Sequence, residues 1–364
     1  MALNFISAKI SLLPYILQPI CDAIFSLTLP LTYRWRLFLL QPLNLLALAI
    51  TFPSWFFNNR SSVLYIPTRS GLKRCLIWQP STRESTDDRQ SKGETTRKKV
   101  LRPLHIDVHG GGWVGGFPEQ DARWCDYLCR EVGAVVISIS YRFAPRYTFP
   151  AAHDDVDDIV CYLVDHASEL GADAELLTIG GSSAGGNMAL STAQYLQASA
   201  QSQPGRTVVA RGFMGFCPPV NLRLKPEEKP KPEGFPEKDP FFWMMPLYDA
   251  YAGPNRERDW DDARLNTLLM RKEMLPDDLL LIIAGMDILA HEQLEFVERL
   301  RNESGSGRAG EKRVEARVWD KGFHGWLELP KSILEKERME AFDTAVDFIK
   351  RVHRKYGFDV DKSN

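Results

Sequence analysis

At 364 residues, the chain is long enough for one large α/β domain with additions, or for two domains. Its formal net charge of −2 leaves no basic field that would point to nucleic acid. Six cysteines (Cys21, Cys75, Cys125, Cys129, Cys161 and Cys217) show no paired C-x-x-C spacing. The one-turn separation of Cys125 and Cys129 reads as helix packing rather than metal ligation, and the pattern fits a reducing compartment or simply unpaired thiols.

Residues 10–57 are rich in Leu, Ile, Phe and Pro, and no charged residue stands from Leu37 to Asn59. That length is close to the ~20 residues of a membrane span. Gln41, Pro42, Asn44 and Pro53 interrupt it. A cleavable signal peptide fits poorly, because Lys9 is the only early charge and no small-x-small site follows a clean apolar core. Two readings of residues 1–60 stay open: short cap helices over an active site, or a membrane-associating segment. The prolines favour the first, since they chop a span into short helices.

Val63–Ile66 and Lys73–Gln79 read as strands. From Pro80 to Lys99 the chain turns Ser-, Thr- and charge-rich, as a solvated insert does. Leu104–Val108 is a strand that runs into His109-Gly110-Gly111-Gly112-Trp113. Three glycines after a strand expose several backbone N–H groups and let a ligand come close. This motif type supplies one half of an oxyanion hole. The lack of a following Lys-Ser/Thr argues against a Walker-type phosphate loop. Asp121–Val132 reads as a helix and Ala134–Ser140 as a buried strand. Tyr141-Arg142-Phe143-Ala144-Pro145 and Phe149-Pro150-Ala151-Ala152-His153 follow.

The chain is organised around the next stretch. Leu176–Ile179 is strand-like, Ala184 to about Gln201 is a small-residue helix, and Gly181-x-Ser183-x-Gly185 lies between them. G-x-S-x-G marks a sharp strand-to-helix turn with the serine at its apex, and glycine on both flanks relieves crowding there. The helix start favours a developing anion. Ser182 would have Gly180 and Ala184 as flanks, one of them bearing a methyl group, so Ser183 is the better nucleophile. The residue after it, Ala184, would complete the oxyanion hole with Gly111 and Gly112.

With these motifs in this order, the chain resembles the hormone-sensitive-lipase-like (α/β-hydrolase-3) branch of the α/β-hydrolases. The likeness rests on H-G-G-G-W, on Y-R-x-A-P…F-P-A-A and on G-x-S-A-G-G-N, and it runs from about residue 63 to the C-terminal helix. Two positions depart from it: the family has Asp where Ser182 stands and Glu where Arg146 stands. The resemblance implies a mostly parallel eight-stranded sheet flanked by helices, with a helical cap. The implied division is a cap or membrane-associating segment over 1–60, a catalytic domain over 61–356 with a cap insertion at about 218–275, and a tail over 357–364.

Val208–Cys217 reads as a strand, and Leu224–Pro240 as an extended Lys-, Glu- and Pro-rich loop. The aromatic and Met-rich run from Phe241 through Tyr251 would be part of the cap and line a pocket. Leu279–Ala284 is a buried strand that ends at Asp287. Asp287 matches the family's D-x-L motif and so carries the triad acid, with Glu292 as a fallback on the next helix. A Gly-, Ser- and charge-rich loop covers residues 302–313, Val314–Trp319 is the last strand, and Leu334–Tyr356 is a closing helix.

Elimination singles out the histidine. His105 is inside a strand, and His109 belongs to the glycine loop, which it would brace together with Gly110. His153 and His166 precede the serine, His291 is too close to Asp287, and His353 lies in the last helix. Only His324 follows a late strand in a glycine-flanked loop, and Ser183…Asp287…His324 is the α/β-hydrolase order.

The expected activity is hydrolysis of short- to medium-acyl esters through an acyl-serine, with no metal or organic cofactor. The long polar inserts resemble fungal relatives acting on acetyl or short-acyl esters of natural products, sterols or xenobiotics, a role in secondary metabolism. The expected partner is a small-molecule ester, in the cytoplasm or at the endoplasmic reticulum membrane. Three alternatives stand beside it. H-G-G-x-W also resembles arylformamidases, which suggests an amidase. Receptors of this fold lose the histidine that His324 supplies here. A membrane-anchored lipase would use residues 10–57.

Overall fold

The structure, a computed structural model, describes residues 9–25, single positions between 31 and 57, and residues 60–80, 101–203, 205–236, 249–303 and 312–360. The Ser- and Thr-rich insert, the Phe241–Met245 run and most of the 302–313 loop lie outside the described residues.

Eight strands form one sheet in the order β1-β2-β4-β3-β5-β6-β7-β8. They are β1 (Ser62–Thr68), β2 (Gly71–Trp78), β3 (Arg102–Val108), β4 (Val135–Ile139), β5 (Ala172–Ser182), β6 (Gly212–Phe216), β7 (Asp278–Met286) and β8 (Arg313–Phe323). β1 with β2 and β2 with β4 are antiparallel pairs, and every other pair is parallel. This is the α/β-hydrolase architecture. β6 is shorter than the 208–217 expected for it, whereas β5 and β8 are longer.

The strands are apolar on both faces because both faces are covered. Along β7, Leu279, Leu281 and Ile283 join one core while Leu280, Ile282 and Ala284 join the other. Period-two alternation sends neighbours to opposite sides. The first core takes residues from α3 (Ala151–Asp165), α4 (Ala184–Ser202) and α5 (Ala290–Asn302). The second takes them from α2 (Ala122–Val132) and α6 (Glu335–Lys355). α3 begins inside the F-P-A-A segment, which sequence reading took only as a motif.

Before the sheet lies α1 (Leu13–Phe25), with Pro19 inside it. Its inner face meets the loop after the glycines: Leu12 and Phe117 form a small core with Ile16 and Phe56 against them. Ser11 Oγ accepts from Arg74 Nε at 2.9 Å, and Arg74 forms a buried ion pair with Glu119. Among the described residues no helix is long and apolar enough to cross a membrane. At the other end Phe358 and Val360 are buried, packed with Leu176.

Candidate active site

The turn at Ser183 is built by β5 and α4. Ser183 caps α4 with φ 50° and ψ −122°, backbone angles that a residue with a Cβ rarely adopts. Its N–H donates to Phe216 O at 2.7 Å on neighbouring β6. The flanking glycines are forced by close approach. A Cβ on Gly185 would stand 1.8 Å from Val108 O, and one on Gly181 would stand 2.4 Å from that oxygen and 2.7 Å from Gly185 C.

Asp287 follows β7, and His324 follows β8. Ser183 Oγ lies 2.8 Å from His324 Nε2, and His324 Nδ1 lies 2.7 Å from Asp287 Oδ2. Asp287 is buried, and its other oxygen accepts from Leu289 N–H at 3.0 Å. With the carboxylate on Nδ1, that nitrogen carries the proton, and Nε2 is free to accept from the serine. Burial pulls the imidazole pKa down. The charge and hydrogen bond of Asp287, with the charge of Glu328, more than offset this, so His324 sits above its ordinary 6.5. Glu292, the fallback acid, is buried on α5 and engaged elsewhere. It accepts from Val220 N–H at 2.8 Å and pairs with Lys229.

The glycine loop follows β3. Gly111 has φ 116°, and a Cβ there would stand 2.2 Å from Gly115 O. The N–H groups of Gly111, Gly112 and Ala184 find no acceptor among the described residues. His109 is buried beneath the loop, with Nδ1 2.6 Å from Gly110 O and its ring stacked on Tyr141 at 4.5 Å. Burial drives its pKa down to about 4, so it is neutral. The Tyr141 hydroxyl reaches His109 O at 3.0 Å and Gly110 O at 3.1 Å.

Three contributors escaped sequence reading. The first is a buried chain: Tyr251 Oη lies 2.8 Å from His153 Nδ1, and His153 Nε2 lies 3.1 Å from Asn187 Oδ1. Asn187 Nδ2 donates to Pro219 O at 2.9 Å and to Leu265 O at 3.0 Å. Since Oδ1 can only accept, Nε2 carries the proton and Tyr251 donates to Nδ1. The network ties α3, α4 and the 218–265 segment together. The final Asn of G-x-S-A-G-G-N was its one legible trace. The second contributor is Tyr141, the brace of the glycine loop. The third is Glu328, whose Oε1 accepts from Ser182 Oγ at 3.5 Å.

Over Ser183 and His324 opens a cavity of about 540 Å³. Its apolar wall includes Trp113, Pro219, Leu222, Phe235, Met286 and Leu289. No group of three or more His, Cys, Asp or Glu side chains able to hold a metal occurs among the described residues.

A strained serine, a histidine and a carboxylate in this order on this sheet define the class as an α/β-hydrolase. Residues 105–328 match the family model described as alpha/beta hydrolase fold. The chain belongs to that family, in its hormone-sensitive-lipase-like branch. It is similar to an AB hydrolase superfamily protein of Schizosaccharomyces pombe, 29% identical over 202 residues, which is 54% of this chain and 58% of that protein. It is also similar to the carboxylic ester hydrolase LipN of Mycobacterium tuberculosis, 30% identical over 232 residues, or 62% of this chain and 58% of LipN. The chain thus spans less than two thirds of either curated relative. Among solved structures, the carboxylesterase EstE1 from a metagenomic library superposes with a TM-score of 0.66 at 22% identity, covering 85% of this chain and 97% of EstE1, a likeness of fold.

Proposed function

We propose that the protein is a serine carboxylester hydrolase acting on uncharged esters with short- to medium-length acyl groups. The observation that carries this reading is the unbroken line from Ser183 Oγ through His324 to Asp287, at 2.8 and 2.7 Å, opening into an apolar cavity. The names of LipN and of an esterase of Gibberella moniliformis, 27% identical over 209 residues, agree with it.

In this reading His324 Nε2 takes the proton of Ser183 Oγ as the oxygen attacks the ester carbonyl. Asp287 holds the ring and stabilises its charged form. The oxyanion accepts from the N–H groups of Gly111, Gly112 and Ala184, where the loss of one donor would cost ~3 kcal/mol of transition-state stabilisation. Collapse expels the alcohol, which receives the proton from His324. Water, deprotonated by the same nitrogen, then attacks the acyl-serine, and the acid leaves with Ser183 restored. His109 and Gly110 support the loop, and Gly181 and Gly185 the turn.

The test is hydrolysis of p-nitrophenyl acetate, butyrate, octanoate and palmitate by wild type and Ser183→Ala. The variant should lose at least ~1,000-fold in kcat, and the chain-length profile should fall off at palmitate. Equal inactivity of both proteins, with turnover of an N-formyl arylamine by wild type, would replace the ester reading with the amidase one. An active Ser183→Ala beside an inactive Ser182→Ala would move the nucleophile.

A further inference from the structure

The segment before the sheet has an apolar side that stands exposed among the described residues. The described part of residues 10–57 holds twelve of the nineteen exposed large hydrophobic side chains of the described protein. On α1 they are ordered. Leu13, Leu17, Cys21 and Ile24 follow one another at helical spacing, and all four are exposed, with Ile10 at 58% and Phe25 at 73% at the two ends. The opposite face, Leu12, Ile16, Pro19 and Ala23, is the one turned to the protein. Soluble surfaces scatter exposed hydrophobics singly, whereas a continuous stripe marks an interaction face.

Charge identifies the occupant. Asp22 is the sole acidic residue before Glu84, while Lys9, Arg34, Arg36 and Arg60 fall within the first sixty residues. The Asp22 carboxyl is buried and faces Arg146, 3.6 Å away. Arg34 donates from Nε to Ala23 O at 3.2 Å and also to Ile24 O, which holds a cation at the C-terminal end of α1. Arg60 is paired with Asp126 at 3.1 Å, but an apolar stripe with Arg34 at its C-terminal end and no exposed acid on its own helix complements an anionic lipid surface. With 13 residues, α1 is about 20 Å long, too short to span a bilayer but suited to lying along one.

We propose that α1 is an in-plane lipid-docking helix, resting by its Leu13–Leu17–Cys21–Ile24 stripe on an anionic membrane. A position beside the active-site loop gives it a consequence. A Cβ on Gly115, three residues past Gly112, would lie 3.9 Å from Pro19 Cγ. Docked in this way, the protein holds its glycine loop at the membrane surface, where apolar esters are concentrated. That consequence rests on the ester reading; the docking itself does not, and Ser183→Ala must bind lipid as wild type does.

The experiment is flotation of the full chain with vesicles of phosphatidylcholine and phosphatidylserine in a 7:3 ratio, and with phosphatidylcholine alone. Wild type should float with the mixed vesicles and much less with the neutral ones. Leu13→Ser/Leu17→Ser/Ile24→Ser should lower the bound fraction at least ten-fold while hydrolysis of p-nitrophenyl acetate in buffer stays within two-fold. A second readout needs no variant: a polarity-sensitive fluorophore on exposed Cys21 should shift to the blue when mixed vesicles are added. Wild type that stays in the aqueous fraction, an unshifted fluorophore, or equal flotation of the triple variant overturns the proposal. A dimer in buffer that the three serines split, without vesicle binding, would instead make the stripe a contact between two copies of the chain.

Discussion

Glu328 Oε1 stands 3.5 Å from the Oγ of Ser182, the neighbour of Ser183, which places a carboxylate behind the turn at Ser183. The same oxygen would lie 3.6 Å from a Cβ on Gly110, so it also faces the root of the glycine loop. Its charge is one of the influences that raise the His324 pKa.

The first prediction concerns the pH dependence of hydrolysis. In the proposed mechanism His324 acts as a base only when neutral, so kcat/KM should rise with pH through the imidazole pKa, which lies above 6.5. Glu328→Gln removes a negative charge that favours the protonated ring. The acid limb of kcat/KM should therefore move to lower pH, while Glu328→Asp should leave it near the wild-type position. A limb that stays put in Glu328→Gln would separate this carboxylate from the imidazole.

How legible this arrangement was in the sequence depends on the range of each interaction. Local constraints could be read. Gly181 and Gly185 flank Ser183 because Val108 O passes 2.4 and 1.8 Å from where their side chains would start, and a five-residue pattern records that. His324 and Asp287 were reached through strand order. Glu328 was not, because its partner Ser182 is 146 residues away and nothing in the sequence around Glu328 marks it as that partner. The α1 segment lay between these cases. Its apolar content was plain, but which face packs on Phe117 and which stays open depends on the tertiary contact.

A second pH effect arises on the far side of the turn. Asp107, on β3, is buried, accepts from Ser138 Oγ at 2.8 Å, and interacts with Asp121 and Glu328. Burial lifts its pKa from 3.8 to about 6. An acid whose folded pKa is raised stabilises the fold fully below its unfolded pKa, and this stability is lost as pH rises through the folded value. Asp107→Asn should therefore gain on wild type between pH 4 and pH 7, by at most about 3 kcal/mol. Urea unfolding of both proteins at several pH values measures the difference, and a pH-independent difference would contradict the raised pKa.

Gly185→Ala tests the close approach of α4 to β3. The new methyl would collide with Val108 O and His109 O, which are backbone atoms of a central strand and of the start of the glycine loop. Neither can turn aside as a side chain could. The variant should lose at least about 3 kcal/mol of stability, the upper range for overpacking, and its residual esterase activity should fall with it. Thermal unfolding and p-nitrophenyl acetate hydrolysis would read both. Wild-type values in either would mean that the turn has slack the geometry does not suggest.

The last prediction concerns Asn187, which links α4 to the wall of the cavity. Its amide donates to Pro219 O and Leu265 O and accepts from His153, all in the buried interior. Burial holds the His153 pKa down to about 3, so the ring is neutral and its single N–H needs that acceptor. Asn187→Ala strands one donor and two carbonyls at once, at roughly 1–3 kcal/mol per buried group, offset in part by any water that enters. Asn187→Asp keeps the shape but cannot donate to either carbonyl, so it should be at least as destabilising at neutral pH. Pro219 lines the cavity, which sets an expectation beyond stability. At temperatures where Asn187→Ala is still folded, KM for p-nitrophenyl butyrate should rise more than kcat falls, because the wall moves while Ser183 and His324 keep their contact. A loss confined to kcat would place the damage at the nucleophile turn instead.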